Sequence, residues 1–333
     1  ESIARDLTRL GPQVICPSGY DIHRTSDHWK LVMDGSLEGP NGRDRDLCFE
    51  LVSPILKGEG SSGLGSLRAI MDSVRRLGVT TNASCGFHVH VDASSKSETQ
   101  AIPEMGNLAG LQRVAQCFVA LENAFDSLVA VNDSIHVNRR TNQNRHCKSN
   151  RIAFGERSNR QRWDMISRTS SVSELVDLVN PNNGRHRNDR YRKLNLVNLV
   201  KPDRPSTCEF RHHGGVQELR EAEAWVRLVL QFCEQCSLAS PAFVSERCLL
   251  HERATAQEEL AALFTLVDCQ GLEQFFTVER ELYAPRINNE WQCHVCWRTF
   301  QNCRSLSQHE EALNHYPYSS SKRGSKSQGF KHK

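Results

Sequence analysis

Three side chains that can bind a metal ion or act on a substrate alternate along the run Cys85 to Asp92, C-G-F-H-V-H-V-D. In an extended strand successive side chains point to opposite faces, so His88, His90 and Asp92 share one face and the apolar residues share the other. A His-x-His pair on a strand is typical either of a ligand pair or of the solvated side of an antiparallel sheet. The run therefore supplies candidate functional residues and leaves both alternatives open.

Two other strand-like segments repeat this alternation. In L-C-F-E-L-V-S-P, Glu50 lies among apolar residues, and in T-C-E-F-R-H-H the spacing predicts one face for Glu209, Arg211 and His213. Glu209 and Arg211 alone could be an exposed ion pair worth roughly 0–1 kcal/mol. Taken together, the three segments predict that polar groups from several strands of one sheet converge on a site.

The remaining periodicity predicts an α+β fold, a mainly antiparallel sheet with helices packed on one face. Two of the predicted strands form a hairpin, and the polar stretch from 136 to 168 is expected to be a long loop or a set of short pieces. The predicted strands are His28–Met33, Leu47–Val52, Ser84–Asp92, Tyr191–Val200 and Thr207–His213. The predicted helices are Ser2–Leu10, Ser66–Leu77, Leu108–Val131, Ser171–Val179, Leu219–Leu238 and a charged helical stretch from Glu246 to Pro285.

The segment Gly58 to Gly63 matches G-x-G-x-x-G between a strand and a helix. A dinucleotide-binding fold also needs an acidic residue about 20 positions further on. The chain has Val79-Thr80-Thr81-Asn82 there, and a P-loop lysine is absent. We therefore interpret the segment as a flexible loop rather than a nucleotide site.

Composition excludes several classes of protein. The chain has 333 residues, 38% of them hydrophobic, and a formal charge of +3, so no global charge indicates a nucleic-acid coat or a membrane-surface protein. No apolar run approaches the ~20 residues of a membrane span, and no secretory leader is recognised. The 13 cysteines show regular spacing in one region, and that spacing is typical of a metal site. These features predict an intracellular protein, cytoplasmic or nuclear, that makes no contact with a membrane.

The regularly spaced region fits C-x2-C-x12-H-x5-H. Two thiolates and two imidazoles at this spacing predict a small ββα zinc finger of the C2H2 type, in which structural Zn²⁺ supplies the folding free energy. The predicted zinc ligands are Cys293, Cys296, His309 and His315. Asn302, Ser305 and Gln308 fall at the base-reading positions of such a finger, so its partner is expected to be nucleic acid or protein.

These patterns divide the chain into four predicted parts. They are an enzyme-like domain (1–245), a helical linker (246–288), the zinc finger (289–318) and a basic disordered tail (319–333).

The order of four motifs resembles the amidoligase family over roughly Glu1 to Leu250. The motifs are F-E-L-V-S-P-I-L, N-A-S-C-G-F-H-V-H-V-D, R-Y-R-K-L-N-L and T-C-E-F-R-H-H-G-G, followed by a helix containing Trp225. The resemblance implies a glutamine synthetase-like fold and an ATP-dependent carboxylate–amine ligase, which forms an amide or peptide bond through an acyl phosphate. The substrates would be a small-molecule or peptide carboxylate and an amine.

The resemblance also implies roles for particular residues. Glu50, Glu209 and one or both of His88 and His90 would bind Mg²⁺ or Mn²⁺, and Arg211 would stabilise the transferring phosphoryl group. Because Mg²⁺ prefers oxygen, two histidines favour either Mn²⁺ or an imidazole that acts on substrate, and we favour the second role for one of them. Three further arginines are predicted to bind ATP phosphates or the substrate carboxylate: Arg139, Arg140 and Arg190.

The chain departs from the family pattern at two points. Relatives begin with a strand of closely spaced acidic residues, whereas this chain starts in the helix that follows, and His213-Gly214-Gly215 stands where a glycine and a threonine are common. Two alternatives to the ligase therefore stay open. One is a noncatalytic ligase-like scaffold carrying the finger, and the other is a metal-dependent amide hydrolase built on Glu50, His88, His90 and Glu209.

Overall fold

The computed structural model describes residues 2–17, 24–39, 48–82, 84–94, 102–129, 145–185, 187–279, 291–292 and 299–300. Within these ranges the chain is α+β, as predicted. The strands are β1 (Val14–Ile15), β2 (Trp29–Val32), β3 (Glu50–Val52), β4 (Gly86–Asp92), β5 (Leu194–Asn195), β6 (Thr207–Gly214), β7 (Trp291–Gln292) and β8 (Thr299–Phe300). The α-helices are α1 (Ser2–Leu10), α2 (Leu64–Arg76), α3 (Leu108–Ala120), α4 (Glu122–Leu128), α5 (Asn159–Ser167), α6 (Val172–Val179), α7 (Leu219–Leu238), α8 (Pro241–Cys248), α9 (Ala256–Val267) and α10 (Gln270–Gln274).

Among the described residues up to 279, the strands form two three-stranded sheets rather than the single sheet expected. In the first sheet β1 lies parallel to β2, and β2 pairs antiparallel with β3, which confirms the predicted hairpin. In the second sheet β6 is central and pairs antiparallel with both β4 and β5. Alternation of side chains identifies the faces of a strand but not its neighbours, and Glu50 therefore lies in a different sheet from Glu209.

One face of the second sheet covers the main hydrophobic core. Cys208, Phe210 and His212 of β6 point to this face and are fully buried. Aromatic rings from α3, α4 and α7 pack on it, with Phe118, Phe125, Trp225 and Phe232 in edge-on or tilted contacts with Phe210 or His212. Each fully buried aromatic side chain stabilises the fold by about 1.5–3 kcal/mol. The opposite face of β6 is left for polar side chains.

The predicted helix from Leu108 to Val131 is two helices, α3 and α4, separated at Leu121. The side chain of Arg151 donates from Nε to the Val119 carbonyl oxygen at 2.6 Å and from Nη2 to that of Ala120, so it satisfies the end of α3. No glycine or proline marks this break. It depends on an arginine that is distant in sequence.

Three other predicted boundaries change in the structure. The stretch Tyr191–Val200 keeps only β5 as strand and then forms a 3-10 turn, Val197–Val200. The polar stretch after residue 144 includes α5, which begins with a capping box formed by Ser158 and Gln161. The helical segment predicted to be a linker contributes α9 to the main core, where Leu263 and Val267 are fully buried.

Three buried thiols meet where α3, α7 and α8 pack together. Cys117 lies beside both Cys236 and Cys248, and none of the three is exposed. Burial raises the pKa of Cys117 and Cys236, and the hydrogen bond with Cys117, together with burial, raises that of Cys248, so the three thiols remain protonated and behave as small apolar side chains. All ten cysteines in the described ranges are free thiols.

The C-terminal zinc-finger prediction falls largely outside the described residues. The strands β7 and β8 form an antiparallel pair with Trp291 opposite Phe300. The four predicted zinc ligands, Cys293, Cys296, His309 and His315, and the predicted tail lie outside the described ranges. Among the helices that are described, none has the length and apolar character needed to cross a lipid bilayer.

The glycine-rich segment is a structural turn whose amide groups bond within the segment. The amide of Leu64 donates to the Gly58 carbonyl oxygen at 2.9 Å, and that of Gly63 donates to the Gly60 carbonyl oxygen at 2.9 Å. Glu59 then anchors the turn to α7 through Arg227, whose Nη2 lies 2.8 Å from Glu59 Oε2. The Gly63 and Leu64 amides are therefore already used within the turn, which agrees with the loop interpretation.

A pair of glycine substitutions tests this structural role. An alanine Cβ at Gly63 would overlap the backbone of Gly58, whereas nothing lies within 4 Å of a Cβ at Gly60. We expect Gly63→Ala to lower the free energy of unfolding by about 1–3 kcal/mol, and Gly60→Ala to change it by less than about 0.5 kcal/mol. Urea denaturation of the two variants measures the difference. Equal effects at both positions would contradict this account of the turn.

Candidate active site

The polar face of the second sheet gathers side chains from all three strands around Glu209. In the strand register His90 of β4 lies opposite Glu209 on one side, and Asn195 of β5 lies opposite it on the other. The alternation predicted for β4 is confirmed, since Val89 and Val91 are buried while His90 and Asp92 are exposed. The centre of this arrangement is a buried carboxylate.

Four side chains approach the Glu209 carboxylate. The Nδ1 atom of His88 and the Nε2 atom of His90 each lie 3.5 Å from Glu209 Oε1. Arg211 donates from Nη1 to the same oxygen, and Asn195 donates from Nδ2 to Oε2. The Glu209 side chain is 5% exposed, whereas that of His90 is 44% exposed. Solvent therefore reaches the imidazole and not the carboxylate that it faces.

Glu209 is held in its charged form. Burial alone would raise its pKa, but the positive charge of Arg211, the two histidines and the Asn195 hydrogen bond outweigh burial and lower the pKa to about 2. For Arg211, burial disfavours the charged form while Glu209 raises the guanidinium pKa. The two groups form a buried ion pair that persists over the physiological pH range.

A hydrogen-bond chain orients the exposed imidazole of His90. Its Nδ1 atom lies 3.0 Å from the Thr207 hydroxyl oxygen, which also accepts a bond of 3.2 Å from Asn198 Nδ2. Since a carboxylate only accepts, Glu209 favours a proton on Nε2, and the Thr207 hydroxyl then donates to Nδ1. Glu209 and Thr207 together hold the ring in one orientation.

His213 does not join this cluster, contrary to the predicted shared face. The pairing of β4 with β6 shifts register between Phe87 and Val89, which is the signature of a β-bulge. Beyond the bulge the ring of His213 lies 4.9 Å from that of Trp225 on α7, and its Nε2 atom lies 3.6 Å from Glu221 Oε1. The extra residue turns His213 toward the helix layer.

The other predicted residues of the site lie at its margins or outside the described ranges. Glu50 is exposed at the start of β3, and its charge acts on Lys30 and Arg211. Arg190 lies beside Tyr191, whose ring is 5.9 Å from the Arg211 guanidinium carbon. The predicted phosphate-binding residues Arg139 and Arg140 fall outside the described ranges.

The described residues do not by themselves assemble a donor set for the divalent cation that the resemblance implies, and the metal site stays a prediction. Among the residues that the structure describes, no three His, Cys, Asp or Glu side chains are grouped to hold a metal ion. Glu50, His88 and Glu209 are all described, so the predicted Mg²⁺ or Mn²⁺ ligands do not form such a group. The Glu209 oxygens already accept from Arg211 and Asn195, and a guanidinium beside them repels a further cation.

The sequence did not predict a second ionic cluster beside the site. The ammonium of Lys193, which is fully buried, lies 2.6 Å from Asp126 Oδ2 and 3.3 Å from Glu122 Oε1. Burial, with the negative charge of Glu122, raises the pKa of Asp126 to about 6 despite the opposing charge of Lys193. The carbonyl oxygen of Lys193 accepts from the Arg211 amide at 2.8 Å. The cluster therefore supports the strand segment that positions Arg211.

A cleft of about 700 Å³ lies elsewhere, between the first sheet and the glycine-rich turn. Its lining includes Thr25, Ser26, His28 and Lys57, and none of the predicted catalytic residues. We therefore take the polar face of the second sheet, where His88, His90 and Arg211 gather around Glu209, as the candidate active site in preference to this cleft.

Comparison with known proteins agrees with this arrangement. The profile of a family described as "putative amidoligase enzyme" matches residues 18–233, which is more than half of the 333-residue chain. The match spans β4, β5 and β6 and all the residues around Glu209. No curated protein and no solved structure matches the chain. On the extent of this match, the chain belongs to the amidoligase enzyme family.

Proposed function

We propose that the protein is an ATP-dependent ligase that joins a carboxylate to an amine through an acyl phosphate. The carboxylate oxygen attacks the γ-phosphorus, and the bond between that phosphorus and the ADP oxygen breaks. The amine nitrogen then attacks the acyl carbon, phosphate leaves, and the amine loses a proton. Membership of the amidoligase family and the cluster around Glu209 support this proposal.

The observation that carries the proposal is a charged, buried carboxylate facing an accessible imidazole. Glu209 cannot reach a substrate, but it can orient His90 and stabilise the imidazolium that forms when the ring accepts a proton. We assign Nδ1 of His90 as the base that removes the amine proton, which it does once the Thr207 hydroxyl turns its own proton away from that nitrogen. Arg211 holds Glu209 in place and adds positive charge beside the reacting oxygens.

The steps assigned to this chain use only residues that are present, and none passes through a bound metal ion. The glutamine synthetase-like fold and the requirement for Mg²⁺ or Mn²⁺ stay predictions. The hydrolase alternative needs a metal site built from Glu50, His88, His90 and Glu209, and nothing among the described residues favours it. The scaffold alternative predicts no turnover of nucleotide.

The test is ADP release by the full chain with panels of carboxylates and amines. We expect release that needs both substrates, and we expect His90→Gln to lower kcat about 10²–10⁴-fold because it removes the base. The matched control is His28→Gln, since His28 is exposed and lies in the other sheet region. Release without an amine requirement, or equal losses in both variants, would refute the proposal.

A further inference from the structure

The two nitrogens of the His90 ring face different partners along the strand pair of β4 and β6. Nε2 lies 3.5 Å from the Glu209 carboxylate, and Nδ1 lies 3.0 Å from the Thr207 hydroxyl oxygen. In the register of this pair, Glu209 is the partner of His90, and Thr207 is the partner of Asp92. The Nδ1 edge of the ring therefore faces the end of the strand pair at which Asp92 lies.

A second carboxylate thus lies beside the Nδ1 edge. Asp92 is two residues beyond His90 on β4, so the two side chains share a face and their Cα atoms are about 7 Å apart. Both residues are exposed, whereas the Glu209 carboxylate is buried. Asp92 Oδ1 accepts from the Ser94 amide at 3.0 Å, which holds the carboxylate at the end of the strand. A base and a carboxylate that solvent can reach therefore lie side by side.

The Nδ1 atom becomes an available acceptor without any movement of the Thr207 side chain. The Thr207 oxygen accepts from Asn198 Nδ2 at 3.2 Å, and this bond holds the oxygen while the hydroxyl proton turns. A hydroxyl has one proton and two acceptor positions, so the oxygen keeps the bond from Asn198 in either orientation. Rotation of one proton therefore leaves an acceptor nitrogen that points toward the Asp92 end.

The two acceptors fit a small cation that carries hydrogen-bond donors. A primary amine is an ammonium ion at neutral pH, with three N–H donors and no acceptor. One ammonium can donate to Nδ1 of His90 and to the Asp92 carboxylate at once. A metal ion fits less well, since the residues that the structure describes include no third His, Cys, Asp or Glu grouped with these two to hold one.

We propose that Asp92 binds the amine substrate as a primary ammonium ion beside Nδ1 of His90. The ammonium gives one proton to Nδ1, which frees the nitrogen lone pair to attack the acyl carbon. The bond to phosphate breaks, and the departing phosphate takes the second proton from the nitrogen. Because His90 and Asp92 are exposed, the substituent on the nitrogen extends away from the face, which fits an organic primary amine. The proton transfers rest on the proposed ligase function, whereas the binding of the ammonium does not.

Binding is measured by NMR on the full chain with ¹⁵N-labelled histidine rings, titrated with propylammonium chloride without nucleotide. We expect a saturable shift of the ring signals that are missing from the His90→Gln variant. Asp92→Asn keeps an oxygen that can accept from the Ser94 amide but removes the charge, so it should weaken binding about 5- to 20-fold. The matched control is Asp27→Asn, an exposed aspartate before β2, with an expected change of less than about twofold.

Two other salts test whether the site recognises an ammonium. Tetramethylammonium chloride has the same charge and no N–H donor, so it should not reproduce the shift, and magnesium chloride should not reproduce it either. The same shift with either salt would overturn the proposal. Unchanged binding by Asp92→Asn, or an equal loss in Asp27→Asn, would also overturn it.

Kinetics separate this inference from the ligase function. With the amine that gives the fastest ADP release, Asp92→Asn should raise the KM for the amine about 5- to 20-fold and change the KM for ATP by less than about twofold. Turnover with an unchanged KM for the amine would leave the ligase standing and refute the role of Asp92. Binding of propylammonium without any turnover would refute the ligase and leave the ammonium site standing.

Discussion

The Glu209→Gln variant is expected to lose about 3–5 kcal/mol of unfolding free energy at neutral pH. The substitution keeps the shape of the side chain but leaves the Arg211 guanidinium buried without its counter-charge, which is strongly destabilising. The same change removes the group that orients His90, so ligase turnover should fall with it.

The pH dependence separates this charge effect from a simple packing defect. The pKa of Glu209 is lowered to about 2 in the folded protein, so the ionised carboxylate contributes stability above its unfolded pKa, near 4.5. As pH falls from about 4.5 to about 2, roughly 3 kcal/mol of this contribution should be lost. In the Glu209→Gln variant that part of the acid dependence should be absent.

Urea denaturation of both proteins between pH 2 and pH 7 measures the difference. The control is Glu156→Gln, since Glu156 is exposed and the change should stay within about 0.5 kcal/mol. If Glu209→Gln lost stability by the same amount at every pH, the carboxylate would not be the charged partner described here.

Loss of the buried Lys193 ammonium beside the site should lower the free energy of unfolding by a similar amount. The Lys193→Met variant leaves Glu122 and Asp126 facing each other without a cation, and we expect it to lose about 3–5 kcal/mol of unfolding free energy at pH 7.5. Asp126 already has a pKa raised to about 6, and removal of Lys193 raises it further. Protonation relieves the repulsion, so the loss should be smaller at pH 5.

Lys148→Met is the graded control for this prediction. The Lys148 ammonium lies 2.9 Å from Asp189 Oδ2, but its side chain is 36% exposed, and Asp189 also accepts from the Tyr191 amide and from Asn183. The Lys148→Met variant should therefore lose about 1–2 kcal/mol of unfolding free energy. Equal losses in the two variants, or a larger loss for Lys193→Met at pH 5 than at pH 7.5, would contradict the ionic cluster.

Alternation along single segments predicted much of the candidate site. The pattern of β4 placed His88 and His90 together, and that of β6 placed Glu209 beside Arg211, because a strand fixes which of its own residues share a face. The hairpin of β2 with β3 and the amphipathic helix α7 also follow from local periodicity. These features require no knowledge of distant contacts.

The features that the sequence did not predict all depend on contacts between distant segments. Periodicity could not show that β3 belongs to the other sheet, nor that a bulge turns His213 toward Trp225. Asn195 was part of the R-Y-R-K-L-N-L motif, but only the register of β5 on β6 shows that it holds Glu209. Lys193 likewise gains its partners from α4, 67 and 71 residues away.

Because the thiols of Cys117, Cys236 and Cys248 adjoin one another, the native state and the unfolded chain should differ in their sensitivity to oxidation by molecular oxygen. In the native state the sulfurs are protonated and shielded from oxidants, so molecular oxygen has little access to them. Once the helices separate, the same sulfurs become reactive and can cross-link in non-native pairs. Heating without a reductant should then trap the chain irreversibly, and the apparent melting point would depend on the scan rate.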